Sequence, residues 1–260
     1  KVILHRSKVE GRPDLKSCQI TTEIIVGDLI SGKTDVISNT ALFNWQMGAR
    51  LQWVPGTENT IAFNALEDGV HSSKFINLDK RHEQSIPYPI YAFNHSGNYF
   101  VTCDFNRIEK YMTGYGYWQK NTEKALISDF AFVNMHGEIM NYFSVSSTDS
   151  DFFVTHFQFN PADTKLAYFI RVPTNKDAFK TIMEVRNLTT DEVVRVKDFD
   201  YISHYCWISN ADILLYGRVA RQKGYFRYDL TSGDVTLCSS LQALPDGHPR
   251  HAGNIIVTDT

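Results

Sequence analysis

Three histidines in the second half of the chain, His156, His204 and His248, follow one another at steps of 48 and 44 residues. Each holds the same place in a recurring motif: Thr155-His156-Phe157-Gln158-Phe159-Asn160-Pro161, then Ser203-His204-Tyr205-Cys206-Trp207, then Gly247-His248-Pro249-Arg250-His251. Looser copies upstream, Ala49-Arg50-Leu51-Gln52-Trp53-Val54-Pro55 and Pro89-Ile90-Tyr91-Ala92-Phe93-Asn94, put Arg50 and Ile90 at that place. Neutral imidazole is the commonest transition-metal ligand, and it titrates near neutral pH. A guanidinium clamps a carboxylate through two parallel hydrogen bonds. If successive copies of one strand converge on a common centre, Arg50, His156, His204 and His248 form a ring suited to a divalent metal and an acidic ligand. The competing reading gives each imidazole a structural hydrogen bond to the main chain of a neighbouring strand.

A second recurrence shows what must position them. Asp28-Leu29, Asn77-Leu78, Asn134-Met135, Asn187-Leu188 and Asp229-Leu230 each stand at a turn between two strand-like runs, out of phase with the first motif. Two interleaved repeats with a period of roughly 40–50 residues mark a β-propeller, in which the innermost strand of each blade lines a central channel. Helical periodicity is hard to find over more than two turns, so the reading is all-β: one propeller domain over residues 1–260, with four complete blades and two partial ones. The first residues do not look like a native start and the last ones stop on a strand, so a longer protein of six or seven four-stranded blades is expected. One unit is irregular. After Tyr99 to Asp104 it inserts Phe105–Thr122, which carries Arg107 and Thr113-Gly114-Tyr115-Gly116-Tyr117-Trp118. A loop that long and aromatic is usually functional. Trp53, Phe93, Phe159 and Trp207 share a register that places them in the core between blades.

Bulk properties exclude more than they assign. The chain has 260 residues, 43% hydrophobic and 21% charged, with a net charge of −3, so nothing points to nucleic acid or to an acidic membrane surface. No run reaches the length of a membrane-spanning helix. The four cysteines, Cys18, Cys103, Cys206 and Cys238, lack metal-ligand spacing, and two lie in apolar runs, which favours a reducing, cytoplasmic setting. Asp149 and Asp151 read as a solvated loop, Glu67-Asp68-Gly69 as a turn, and Asn187-Leu188-Thr189 as a hairpin turn rather than a glycosylation site. The G-x-S-x-G nucleophile elbow is absent.

The His-aromatic-Gln-Phe-x-Pro strand at 156–161, the Ser-His-x-x-Trp strand at 203–207 and the further His-led strand at 248 together resemble the oligogalacturonate lyases and their propeller relatives. The resemblance covers roughly residues 150–260, plus the blade pattern upstream. It implies a seven-bladed propeller that binds a divalent metal, typically manganese, and cleaves short uronate oligosaccharides by β-elimination. By position, His156 resembles the family's general base and His204 one of its metal ligands; a ligand role for His248 follows from the ring. The rest of the family's metal site would lie in a blade beyond Thr260. The chain departs from the family at Ile170 to Asn175, where the lyases carry an acidic His-Glu-Gly segment, and in its Arg-Leu-Gln-Trp and Gly-Tyr-Gly-Tyr stretches. The expected substrate contacts are Arg50 or Arg107 on a carboxylate and Tyr91, Tyr115, Tyr117 and Trp118 against sugar faces, with an acidic oligosaccharide or other glycan as partner. The rival expectation is a non-catalytic propeller that binds a glycan or a protein through the same funnel.

Overall fold

Every Asp or Asn of the second recurrence closes a hairpin with its own side chain. Asp28 Oδ1 accepts from the N–H groups of Ile30 and Ser31, and Asp229 Oδ1 from those of Thr231 and Ser232. Asn77, Asn134 and Asn187 do the same for the N–H groups that follow them. These are Asx turns, which Asp and Asn favour because a short polar side chain can mimic a main-chain turn. The computed structural model describes residues 1–7, 21–122, 128–145, 151–175, 178–253 and 255–259. Cys18 and Asp149 lie outside the described residues.

Five such hairpins join strands of consecutive antiparallel meanders. The first sheet has three strands, β1 (Val2–Ser7), β2 (Thr22–Gly27) and β3 (Thr34–Thr40). The second holds β4 (Gln52–Trp53), β5 (Thr60–Glu67), β6 (Val70–Asn77) and β7 (His82–Ile86), and the third β8 (Ala92–Phe93), β9 (Tyr99–Cys103), β10 (Phe130–Asn134) and β11 (Ile139–Phe143). The fourth comprises β12 (Phe153–Phe159), β13 (Lys165–Asn175), β14 (Ala178–Asn187) and β15 (Val193–Arg195). The fifth comprises β16 (Tyr201–Trp207), β17 (Asp212–Val219), β18 (Gln222–Asp229) and β19 (Val235–Leu237), and a last hairpin pairs β20 (Arg250–Ala252) with β21 (Ile255–Val257). Strands follow sequence order in every sheet, which is the layout of propeller blades. No helix among the described residues is long and apolar enough to cross a membrane.

The chain forms two compact units, Lys1–Ser146 and Ser147–Thr260. In the first, Ile24, Ala49, Ile61, Phe63 and Ile76 make one buried cluster, and Val54, Ala62, Phe75, Ile90, Phe93 and Phe100 make another. In the second, Phe169, Met183 and Val185 of the fourth sheet pack with Ile202, Tyr205, Trp207, Ile213 and Leu215 of the fifth. Each fully buried Phe or Ile contributes about 1.5–3 kcal/mol. The middle strands are buried on both faces and therefore run apolar continuously, as Ile61-Ala62-Phe63 and Leu166-Ala167-Tyr168-Phe169-Ile170 do. Phe93, Phe159 and Trp207 are core residues as expected, but Trp53 is 37% exposed, because β4 is only two residues long and turns that side chain outward. Cys103 and Cys206 are buried free thiols, and burial pushes the Cys206 thiol up to about 11.

The insertion is not simply a loop. Its first residues form helix α1 (Phe105–Tyr111), capped by Asp104, whose carboxylate accepts from the Arg107 N–H at 3.0 Å. Phe105 and Ile108, one turn apart, are its buried face.

Candidate functional site

In the second unit the innermost strands are stitched together by the residues of the recurring motif. Trp207 Nε1 donates to the Gln158 carbonyl at 3.1 Å, and Gln158 Nε2 donates to the Tyr205 carbonyl at 3.2 Å. The Tyr205 hydroxyl sits between the carbonyls of His156 and Ala167, 2.9 Å from the latter. His156 lies where the β12–β13 pairing slips, between Thr155 and Gln158, and its φ is 59°. Arg50, at the same place in the upstream copy, has a φ of 53°. The recurring position is thus left-handed in the fourth sheet and again just ahead of β4, and a residue with a Cβ is strained there. The His156 ring packs on Phe169, with centroids 5.0 Å apart.

His204 and His248 come together. Their ring centroids are 4.0 Å apart at an interplanar angle of 59°. His204 Nδ1 lies 2.8 Å from Asp246 Oδ1, a carboxylate that also accepts from Ser203 Oγ at 2.7 Å and the Tyr201 hydroxyl at 3.3 Å. His248 Nδ1 lies 3.0 Å from Asp259 Oδ2. An imidazole whose Nδ1 donates to a carboxylate keeps the lone pair on Nε2, the usual arrangement behind a metal-ligating histidine. Burial pulls the His204 pKa below its ordinary value, the Asp246 hydrogen bond opposes this, and the charge on His248 adds to the lowering. The pair therefore fits two positions of a ligand set. Among the described residues, no group of three or more His, Cys, Asp and Glu that could hold a metal is present.

The remaining expected contacts belong to the first unit, and several need correction. Arg50 places its guanidinium over the Tyr91 ring at 4.4 Å and donates to the Tyr91 carbonyl from Nε at 2.8 Å and from Nη2. Two of its donors thus serve the main chain rather than a carboxylate ligand. Arg107 pairs with Asp129 at 3.3 Å. Tyr91 and Tyr117 are 3% and 0% exposed and stack on Phe105 at 5.8 and 4.7 Å, so neither offers a face to a sugar. The Tyr117 hydroxyl accepts from Asn64 Nδ2 at 2.9 Å, and burial raises its pKa. Tyr115 is half-buried, while Trp118 is 58% exposed. Trp118 lines an open cleft of about 500 Å³ with Asn106, Glu109, Lys110, Thr113 and Lys120.

Two kinds of functional candidate were not visible in the sequence. Asp246 lies ahead of β20, 42 residues from His204, and Asp259 follows β21, 11 residues from His248; Asp246-Gly247 reads simply as a turn. Glu109, Lys110 and Lys120 are ordinary charged residues until α1 and the following turn fold against each other.

No protein-family model matches the chain, and no curated protein matches it in sequence. Solved structures do. The β-propeller domain of the Trilobed protease from Pyrococcus furiosus is 11% identical, with 96% of this chain and 70% of that one covered at a TM-score of 0.54. The fold is a β-propeller. An acylaminoacyl peptidase from Pyrococcus horikoshii is 11% identical at a TM-score of 0.53, over 96% of this propeller but 39% of the peptidase chain. An oligogalacturonate lyase in complex with manganese is 10% identical at a TM-score of 0.49, over 89% of this chain and 67% of that one. At such identities the likeness speaks for the fold alone, and the neighbours differ in function.

Proposed function

We propose that this propeller acts on uronic-acid-containing oligosaccharides by metal-assisted β-elimination. The observation that carries the reading is the His204–His248 pair, 4.0 Å apart and each braced through Nδ1 by its own carboxylate. The motif resemblance of residues 150–260 supports it. His204 and His248 would hold a divalent ion, with manganese the expected one. When bound, the ion supplies positive charge that acidifies the proton α to a uronate carboxylate. His156 would take that proton from carbon, and the glycosidic oxygen on the neighbouring β carbon would leave. Asp246 and Asp259 fix ring orientation and keep the two Nε2 lone pairs presented. Ser203 and Tyr201 hold Asp246 in turn.

Elemental analysis of the purified protein should find about one divalent ion per chain, absent from His204→Ala. Ultraviolet absorbance of the unsaturated product on short oligogalacturonates should then rise with wild type and not with His156→Ala. A wild type that binds no divalent ion overturns the reading and leaves a propeller that only binds its partner.

A further inference from the structure

The cleft in the first unit is built from a segment that the proposed chemistry does not use. Helix α1 forms one wall and the Thr113–Asn121 return forms the other. The return is held rigidly. Glu109 Oε2 accepts from the N–H groups of Gly114 and Gly116 at 2.9 and 3.1 Å. Asn106 Nδ2 donates to the carbonyls of Tyr117 and Gln119 at 2.8 and 2.9 Å, and its Oδ1 accepts from the Asn121 N–H at 2.9 Å. Asn44 Nδ2 donates to the Gly116 carbonyl at 3.0 Å, and Gln119 Nε2 to the Ala41 carbonyl at 2.6 Å. Gly116 has no room for a side chain, since an added Cβ would lie 2.1 Å from the Phe105 carbonyl oxygen. Tyr117 points into the core and anchors the turn. Its neighbour Trp118 is left on the surface of a preorganised wall.

The groups around that indole are of mixed character. Lys110 Nζ lies 4.4 Å from the centre of the Tyr111 ring and 2.7 Å from its hydroxyl, and Lys120 is exposed with no partner among the described residues. Glu109 and Thr113 add an acceptor and a hydroxyl to the lining. A flat apolar ring, two cations and scattered acceptors suit a polyhydroxylated ring that bears one carboxylate. A polyphosphate has no ring face to lay on the indole, and a neutral sugar would leave the exposed Lys120 ammonium without a counter-charge.

We infer that this cleft is a second binding site, taking an acidic sugar with its ring face on Trp118 and its carboxylate between Lys110 and Lys120. Rigid walls lower the ordering cost of binding, which is how an open site of this size holds a small ligand. The cleft is lined by residues of the first unit alone, and the binding proposed for it does not depend on metal or catalysis.

The test is calorimetric titration of trigalacturonate into the full chain carrying His204→Ala, in chelator, so that the metal-dependent reading is disabled and cannot supply the signal. Saturable binding should remain there. Adding Trp118→Ala should weaken it about tenfold. Lys120→Ala should weaken it several-fold and reduce its dependence on salt. Both side chains are exposed, and an unchanged unfolding midpoint checks that each variant folds. Absence of binding in the His204→Ala background overturns the inference, as does unchanged affinity in Trp118→Ala or equal affinity for a neutral trisaccharide. None of these outcomes bears on whether the wild type holds a metal.

Discussion

At the scale of single residues, the molecule keeps a histidine where a histidine is uncomfortable. His156 has a φ of 59°, in a region where a residue with a Cβ is strained by about 1–2 kcal/mol relative to glycine. In an ordinary strand, glycine is less stable than alanine by roughly 0.5–1 kcal/mol. That order should invert here: His156→Gly is expected to match or exceed His156→Ala in urea denaturation, both having lost the ring contact with Phe169. If the alanine variant is clearly the more stable, the left-handed backbone at this position is not a constraint. The spacing of His156, His204 and His248 made the position visible in the sequence. What the spacing did not carry was the identity of their partners. Asp246 reaches His204 from 42 residues away, in a connection without periodicity. The aromatic register misled at Trp53, since alternation predicts a face only where a strand is long enough to hold it.

Among the elements, the outer hairpins were legible because one residue type, Asp or Asn, performs one geometric task in five places. Helix α1 was not, because two turns give only one pair of buried residues, Phe105 and Ile108, too few for a period. Its packing against the return is what turns Tyr91 and Tyr117 inward and Trp118 outward, so the solvent-facing aromatic could not be chosen from Gly-Tyr-Gly-Tyr-Trp alone. Gly116 is the hinge of that arrangement. Gly116→Ala should force α1 away from the return, lowering stability by about 1–3 kcal/mol as overpacking does. In chelator and the His204→Ala background it should also abolish trigalacturonate binding at the cleft. Chemical denaturation and calorimetry read the two effects separately.

For the whole molecule, part of the response to acid follows from two imidazoles, the buried His71 and the half-buried His5. His5 Nε2 accepts from the Ala49 N–H at 3.2 Å, and His71 Nε2 meets the Gln119 carbonyl at 2.6 Å. Burial lowers both pKa values below the ordinary one. The unfolded chain therefore binds protons that the folded chain does not as pH falls through about 6.5. Stability is full above that value and should decline below it, and His71→Gln should flatten the slope of the urea midpoint against pH. Asp28 and Asp229, whose carboxyls are held low chiefly by turn N–H groups, add a separate loss further down, as pH falls through their folded values. Those same turns have a quieter consequence for how such a chain diverges. Because each of these five turns is closed by its own leading side chain, copies of the unit can drift apart in sequence while each keeps its shape. Ancestry then fades from the alignment long before it fades from the fold.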